Sequence, residues 1–267
     1  MTNDKNQNGR PNGVTIKSSK ELDLMRESGQ IVAETKILLA EAIQPGLTTA
    51  ELDRIAENEI RKRGGVPSFK GYLGFPATIC SSFNEEIVHG IPSNRCMNEG
   101  DLISIDIGAI VGGFHSDTAF TAGVGDITDK AQCLIEATEK ALRLGIAQVK
   151  PGARIGDISS AIQEYSEGLG YGVVRQYVGH GIGRSLHEDP QVPNYGSPGK
   201  GPILRQGMTI AIEPMLNMGS WETETMSDGW TVVTADRQLS AHFEDTVAIT
   251  NAGVEVFTSV NMVEAKV

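Results

Sequence analysis

Cysteine is scarce: Cys80, Cys96 and Cys133 are all the chain carries. They are too few and too scattered for a disulfide framework, and no Cys-x-x-Cys pair points to structural zinc, so a reducing compartment is expected. No apolar run approaches the roughly 18 residues of a membrane span, and the N-terminus lacks the apolar stretch of a signal peptide. A cytoplasmic protein with no membrane partner is the expectation. Positive charge is short as well: 23 Lys and Arg face 34 Asp and Glu, for a net charge of −11. That balance disfavours DNA and other broad polyanion partners and leaves carboxylates free to hold cations. What remains is an ordinary globular composition, 39% hydrophobic and 21% charged over 267 residues, neither disordered nor collagen-like and long enough to bury a sizeable core.

From Met1 to about Gly13 the chain is rich in Asn and nearly devoid of apolar residues, and such composition cannot offset the entropy of ordering. A disordered tail over residues 1–16 is expected, followed by a single domain over residues 17–267. Ser18-Ser19-Lys20-Glu21 offers a capping box, and Leu22, Met25, Val32 and Ala33 recur at helical spacing until Pro45-Gly46. Thr48-Thr49-Ala50-Glu51 offers another, with Leu52, Ile55, Ala56 and Ile60 on one face and Gly64-Gly65 as the stop. From Val66 to Val124 the pattern turns to short β-rich runs, notably 77–83, 101–111 and 114–122.

The same order then recurs: helical periodicity over about 128–149 and 155–169, then strands from Tyr171 onward. Pro45-Gly46 before Glu51-Leu52 matches Pro151-Gly152 before Asp157-Ile158, an offset of 106. Gly100 with Ile103, Ile105 and Asp106 matches Gly207 with Ile210, Ile212 and Glu213, an offset of 107. Two copies cannot make a solenoid, so the fold class expected is α+β, built from pseudo-twofold halves over about 17–126 and 127–260 that share one core.

Each duplicated strand ends its apolar run on an acid, Asp106 in the first half and Glu213 in the second, and a further acid follows each, Asp117 and Glu244. Taken singly, each reads as a turn cap or a solvent-facing side chain. Brought together by a pseudo-twofold axis, four carboxylates would repel strongly without metal and would suffice for two divalent ions. His180 sits in Gly179-His180-Gly181-Ile182-Gly183, where glycines let backbone approach a cluster. One imidazole among carboxylates suits Mn, Fe, Co or Zn. Those glycines do not fit a G-x-G-x-x-G phosphate loop. His89 and His187 stand in turn contexts, where each alone reads as structural.

Together these stretches resemble the methionine aminopeptidases, type I in particular, over about residues 17–258. The resemblance is carried by His89-Gly90-Ile91-Pro92, Asp106 and Asp117 eleven residues apart, Gly179-His180-Gly181-Ile182-Gly183, His187-Glu188, Ile212-Glu213-Pro214 and His242-Phe243-Glu244. It implies the pita-bread fold around a central antiparallel sheet and a hydrolase, a metalloprotease that removes the N-terminal methionine of nascent polypeptides with a small second residue. It further implies that Asp106, Asp117, His180, Glu213 and Glu244 hold two divalent metal ions (Co, Mn, Fe(II) or Zn), with Asp117 and Glu244 bridging. Glu213 is implied to move the water proton, and His89 and His187 to contact the scissile amide and the developing oxyanion. Tyr72, Phe75, Cys80 and Trp230 are implied to line the methionine pocket, although core packing alone would explain them.

Three positions depart from the family pattern: Leu186 where Phe is common, Leu73 where a His is often found, and Gly108 where some relatives carry Thr. Neither a zinc-finger extension nor a long second-half insertion is present, which favours type I. The competing readings are a creatinase- or prolidase-like Xaa-Pro peptidase, a pita-bread binding protein without catalysis, and an iron oxygenase using His115, Asp117 and His242. Arg61-Lys62-Arg63 could touch a ribosome transiently, but cations in a last helical turn are explained by the helix dipole. A monomer is expected.

Overall fold

Ser18 opens the first helix by the mechanism its sequence predicts, accepting the Glu21 N–H at 3.4 Å while the Glu21 carboxylate accepts the Ser18 N–H at 2.9 Å. The computed structural model describes residues 13–259. Helix α1 spans Ser19–Ala42 and α2 spans Thr49–Lys62, the latter opened by the reciprocal Thr48–Glu51 box. Helix α3 spans Asp129–Ile146, capped by Thr128, and α4 spans Ile155–Gly168, where Asp157 accepts the Arg154 N–H at 2.8 Å. No helix among the described residues is long and apolar enough to cross a membrane.

The first-half strands are β1 (Val66–Pro67), β2 (Ile79–Phe83), β3 (Glu86–Val88), β4 (Leu102–Val111) and β5 (Phe114–Gly123). The run expected from residue 77 starts as a strand at Ile79, because Asp53 on α2 accepts the N–H groups of Thr78 and Ile79 at 2.8 and 3.0 Å. The second half supplies β6 (Gly172–Val173), β7 (Gly179–Gly181), β8 (Glu188–Val192), β9 (Thr209–Ile212) and β10 (Met215–Asn217). It continues with β11 (Thr223–Thr225), β12 (Val232–Thr234), β13 (Ser240–His242), β14 (Glu244–Thr250) and β15 (Gly253–Val256).

A nine-stranded sheet runs β1-β4-β5-β14-β9-β7-β8, with β2 added on β4 and β15 on β14, and two three-stranded sheets, β13-β10-β6 and β11-β12-β3, flank it. Every pairing is antiparallel. On one side, Val32 and Leu39 of α1 and Leu52 and Ile60 of α2 pack on Ile103, Ile105 and Ile107 of β4. On the other half, Leu134 and Leu142 of α3 and Ile158 and Ile162 of α4 pack on Ile210, Ile212 and Val247. Phe243 touches both cores and joins them.

The repeat is visible in the backbone. Gly46 and Gly152 take left-handed φ values of 89° and 87°, Gly64 and Gly170 take 85° and 88°, and Gly100 and Gly207 take 88° and 84°, a region only glycine enters freely. Isolated antiparallel bridges join Thr48 to Cys96 and, in the second half, Arg154 to Ile203. The Gly46 N–H donates to the Met97 carbonyl at 2.9 Å, as the Gly152 N–H does to that of Leu204 at 2.9 Å. Each pair is offset by 106 or 107 residues. The duplicated α+β reading therefore holds at the level of individual turns.

The expected tail is corrected at its C-terminal end; residues 1–12 lie outside the described residues. Val14 forms a parallel bridge with Asp189, and the Lys17 N–H donates to the Gly207 carbonyl at 2.7 Å. The Lys17 ammonium reaches the Glu188 carboxylate at 2.7 Å with side-chain exposures of 4% and 2%, and Thr15 donates to the same carboxylate. Low apolar content gave no sign of this anchor because it is an ion pair across 171 residues. Removing one member of a buried pair leaves the other charge stranded, so Lys17→Met should cost about 3–5 kcal/mol. Urea unfolding should show the Lys17→Met/Glu188→Gln double variant recovering most of that loss. An unchanged midpoint in Lys17→Met would contradict the anchor.

Candidate active site

Five strands that are consecutive neighbours in the large sheet, β4, β5, β14, β9 and β7, each carry one of the expected metal-binding residues. Asp106 lies on β4, Asp117 on β5, Glu244 begins β14, Glu213 directly follows β9, and His180 is the centre of β7. The register sets Asp106 opposite Ala119 and Ala119 opposite Glu244, so Asp117, two residues from Ala119, shares their face. Asp245 opposes Ile212 and Gly181 opposes Ile210, which turns Glu213 and His180 to that same face. Ligand atoms of Asp117, His180 and Glu244 fall within 4.8 Å of one another. His180 Nε2 is 3.8 Å from Asp117 Oδ2 and 3.6 Å from Glu213 Oε1.

The local chemistry fits a cation. Burial, then the neighbouring Asp117 charge, pushes the Asp106 carboxyl well above the usual carboxylate range. Burial raises Asp117, with His180 offsetting part of the shift, and burial followed by the charges of Asp117, Glu213 and Asp106 drives Glu244 well up. Asp106 Oδ1 and Glu244 Oε1 are buried with no hydrogen-bond partner. Buried acceptors left in this way are costly, and a divalent ion would satisfy both while cancelling the repulsion. His180 Nδ1 lies 3.0 Å from the Gly181 carbonyl. A carbonyl only accepts, so Nδ1 carries the proton and Nε2 presents its lone pair to the carboxylates.

Glycine is required beside His180: a Cβ on Gly179 would stand 2.4 Å from the Ala211 carbonyl oxygen, and one on Gly181 would stand 2.2 Å from that of Asp189. Behind the acids, the Asp117 N–H donates to Thr246 Oγ1 at 3.0 Å, and the Thr118 hydroxyl donates to the Glu244 carbonyl at 2.6 Å. Asn194 donates to the Glu213 carbonyl at 2.9 Å.

A cavity of about 160 Å³ opens beside the acids, and every expected site residue lines it. Its apolar wall is built from Tyr72, Phe75, Cys80, Leu186 and Trp230, with the Phe75 and Trp230 rings packed edge-on at 5.1 Å. Cys80 pairs with Asp106 across β2 and β4, which sets its thiol beside the charged group, and burial keeps that thiol protonated. The Tyr72 hydroxyl meets His187 Nδ1 at 2.8 Å, and the His187 ring lies tilted by 55° against that of His180, with centroids 4.3 Å apart. His89 takes a left-handed φ of 62° and meets Trp230 and Tyr177 edge-on; burial lowers its pKa to about 4.

The cavity also includes Phe69, Val88, Tyr177 and His242, which local sequence reading did not assign to it. Tyr177 lies three residues before His180, the only sequence signal it offered. Of the departures from family pattern, Leu186 is 3% exposed inside the wall and Leu73 is 74% exposed at its edge. Gly108 is sterically fixed, since a Cβ there would stand 2.8 Å from Ser68 Cβ. The oxygenase-like reading is not supported: His115 Nδ1 pairs with Ser68 at 3.1 Å, and neither His115 nor His242 joins the candidate metal cluster among the described residues.

Comparison with known proteins identifies the family. Metallopeptidase family M24 matches residues 23–251. The methionine aminopeptidase of Clostridium perfringens is 54% identical over 92% of this chain and 98% of its own length. Methionine aminopeptidase 1 of Bacillus subtilis is 53% identical over 92% of this chain and 100% of its own. The crystal structure of methionine aminopeptidase from Thermotoga maritima superposes with a TM-score of 0.92 at 43% identity, covering 93% of this chain and all of that one.

A carboxyl whose folded-state pKa lies above its unfolded value subtracts stability once pH exceeds the unfolded value, and the loss grows until pH passes the folded one. Asp106 and Glu244 are both raised, so at neutral pH the chelator-treated protein carries this penalty. Asp106→Asn should therefore stabilise chelator-treated protein by about 1 kcal/mol, roughly 2–4 °C in melting temperature, while weakening the stabilisation that Mn(II) gives wild type. Calorimetry with and without Mn(II) checks both signs. A less stable chelator-treated variant would contradict the account.

Proposed function

The chain belongs to metallopeptidase family M24, among the methionine aminopeptidases, and from that premise we propose how its residues remove the N-terminal methionine of newly made polypeptides. Asp106, Asp117, His180, Glu213 and Glu244 would hold two divalent ions, Mn, Co, Fe(II) or Zn. The observation that carries this is the convergence of all five on one sheet face, with Asp106 Oδ1 and Glu244 Oε1 buried and unpartnered. Ions bound there would lower the pKa of a water, polarise the scissile carbonyl and anchor the free α-amine of the peptide.

Glu213 accepts the proton of the attacking water and returns it to the leaving amine. It is suited to this because its carboxylate borders the cavity while its backbone is fixed by Asn194. His187, steadied by Tyr72 and by its tilted ring contact with His180, contacts the developing oxyanion, and His89, kept neutral by burial, contacts the scissile amide. Tyr72, Phe75, Cys80 and Trp230 enclose the methionine side chain, where apolar and sulfur contacts suit a thioether. A small second residue is preferred because His89 and His187 crowd the leaving side.

The catalytic unit is one domain made of the two halves, assigned to residues 17–267, of which 260–267 lie outside the described residues. Its partners are nascent N-termini met in the cytoplasm by a monomer, with neither DNA nor membrane involved. An Xaa-Pro peptidase would share the metal cage; presence of all five donors disfavours a binding protein without catalysis.

Peptides Xaa-Ala-Ser and Met-Xaa-Ser provide the test. Met should be released, Leu and Val about 10- to 200-fold less well, and Xaa-Pro substrates should show no preference over Met-Ala. Glu213→Gln should lower kcat about 100- to 10,000-fold with little change in KM. Equal rates for Met, Leu, Lys and Glu would refute the pocket, and near-normal turnover by a fully metallated Glu213→Gln would refute the base.

A further inference from the structure

Strand β12 takes its place from β3: Val232 lies opposite Val88, and His89 follows directly in sequence. Trp230 stands two residues outside β12, so sheet pairing does not by itself fix its ring. The loop that carries it is closed by the Met226 N–H donating to the Thr231 carbonyl at 2.8 Å and the Gly229 N–H donating to that of Met226 at 3.0 Å. Asp228 sits inside this loop. Its Oδ1 accepts the N–H groups of Trp230 and Thr231 at 2.8 and 2.9 Å, and its Oδ2 accepts the Thr231 hydroxyl at 2.6 Å. Burial raises the Asp228 pKa, but the Thr231 hydroxyl and the two N–H groups outweigh it and hold the carboxyl below its usual range. Gly229 follows at a left-handed φ of 76°, which lets the chain double back. The Trp230 ring then packs edge-on against buried Phe75 at 5.1 Å and meets His89 edge-on at 6.5 Å.

We propose that Asp228 is a positioning residue for substrate selection: its carboxylate locks the loop and the Trp230 main chain, so that the ring stays against Phe75 and the pocket wall does not retreat before a branched side chain. This rests on the methionine-removing function above and adds what makes its pocket selective. Phe75 is held by its own burial in the core, whereas Trp230 is half-buried on an exposed loop. A single edge-on ring contact is a weak tether; three hydrogen bonds to one charged acceptor are a firm one. Near-isosteric side chains are told apart only by a wall that does not yield to the wrong shape. Asp228 therefore acts through Trp230 and takes no part in the hydrolytic step.

The test compares kcat/KM for Met-Ala-Ser and Leu-Ala-Ser in Mn(II)-loaded wild type, Asp228→Ala, Asp228→Asn and Thr231→Val. Asp228→Ala should narrow the preference for methionine about 3- to 10-fold, the scale of one or two lost hydrogen bonds, chiefly through a higher KM for the Met peptide. Thr231→Val removes one of the three donors and should narrow it about 2-fold. Asp228→Asn keeps a carbonyl oxygen for both N–H groups and an amide N–H for the Thr231 oxygen, so it should restore most of the preference. Because each ratio is taken on one preparation, loss of metal or of folded protein cancels, and Thr231→Val carries the test if Asp228→Ala misfolds. In a Trp221→Phe background Trp230 is the sole tryptophan, and acrylamide should quench its fluorescence more strongly in Asp228→Ala than in the parent or in Asp228→Asn. An equal loss on both peptides with the ratio intact is what a role confined to hairpin stability gives, and it would overturn the proposal. Unchanged quenching in Asp228→Ala, or an Asn variant as unselective as the Ala variant, would overturn it too. A wild type that does not prefer methionine to leucine would instead overturn the methionine pocket itself, and the proposal with it.

Discussion

Four carboxylates and one imidazole stand on a single face of five adjacent strands, and most of the architecture answers the electrostatic cost of that arrangement. Burial alone raises the free energy of each ionised acid, and mutual repulsion adds to it. A single hairpin could not position donors around a cation in this way. The duplicated halves can: β4 and β5 approach from one side, β9 and β14 from the other, and the β5–β14 pairing joins Asp117 to Glu244 across the seam. The two helix pairs cover the sheet and leave the acid-bearing face to the cavity. Glycines at 179 and 181 let β7 approach closely enough for His180 to complete the set.

The cavity divides labour between charge and shape. Its acids line one part, while Phe75, Trp230, Tyr72 and Cys80 line another. The two meet at Tyr72 and His187, whose hydrogen bond ties the apolar wall to an imidazole beside His180. His187 is also held from behind. The adjacent Glu188 is pinned by Lys17, so the segment before the first helix helps to fix a turn more than 160 residues away.

Much of this was legible because its signals are local. The Ser18–Glu21 and Thr48–Glu51 boxes predict helix starts to the residue. Apolar runs ending on Asp106 and Glu213 predict both the strands and their acids, and the matched glycines predict the repeat. The Lys17–Glu188 pair was not legible, since an ion pair so distant in sequence leaves no periodicity behind. Tyr177 and His242 were hidden for a related reason: both stand near recognised motifs, but which wall they face depends on strand pairing, and β13 is only three residues long. Gly108 departs from the family pattern at a position where Ser68 and Phe69 pack too closely for a side chain, a long-range contact the sequence does not show.

The central claim is that the five donors form one binuclear centre on which peptide hydrolysis depends. Titration of chelator-treated full-length protein with Mn(II), counting bound ions by paramagnetic resonance while measuring methionine release from Met-Ala-Ser, tests it most directly. The account predicts no release before metal is added, saturation near two ions per chain, and activity that rises with occupancy. Full release from verified metal-free protein, or saturation without any tightly bound ion, would contradict it.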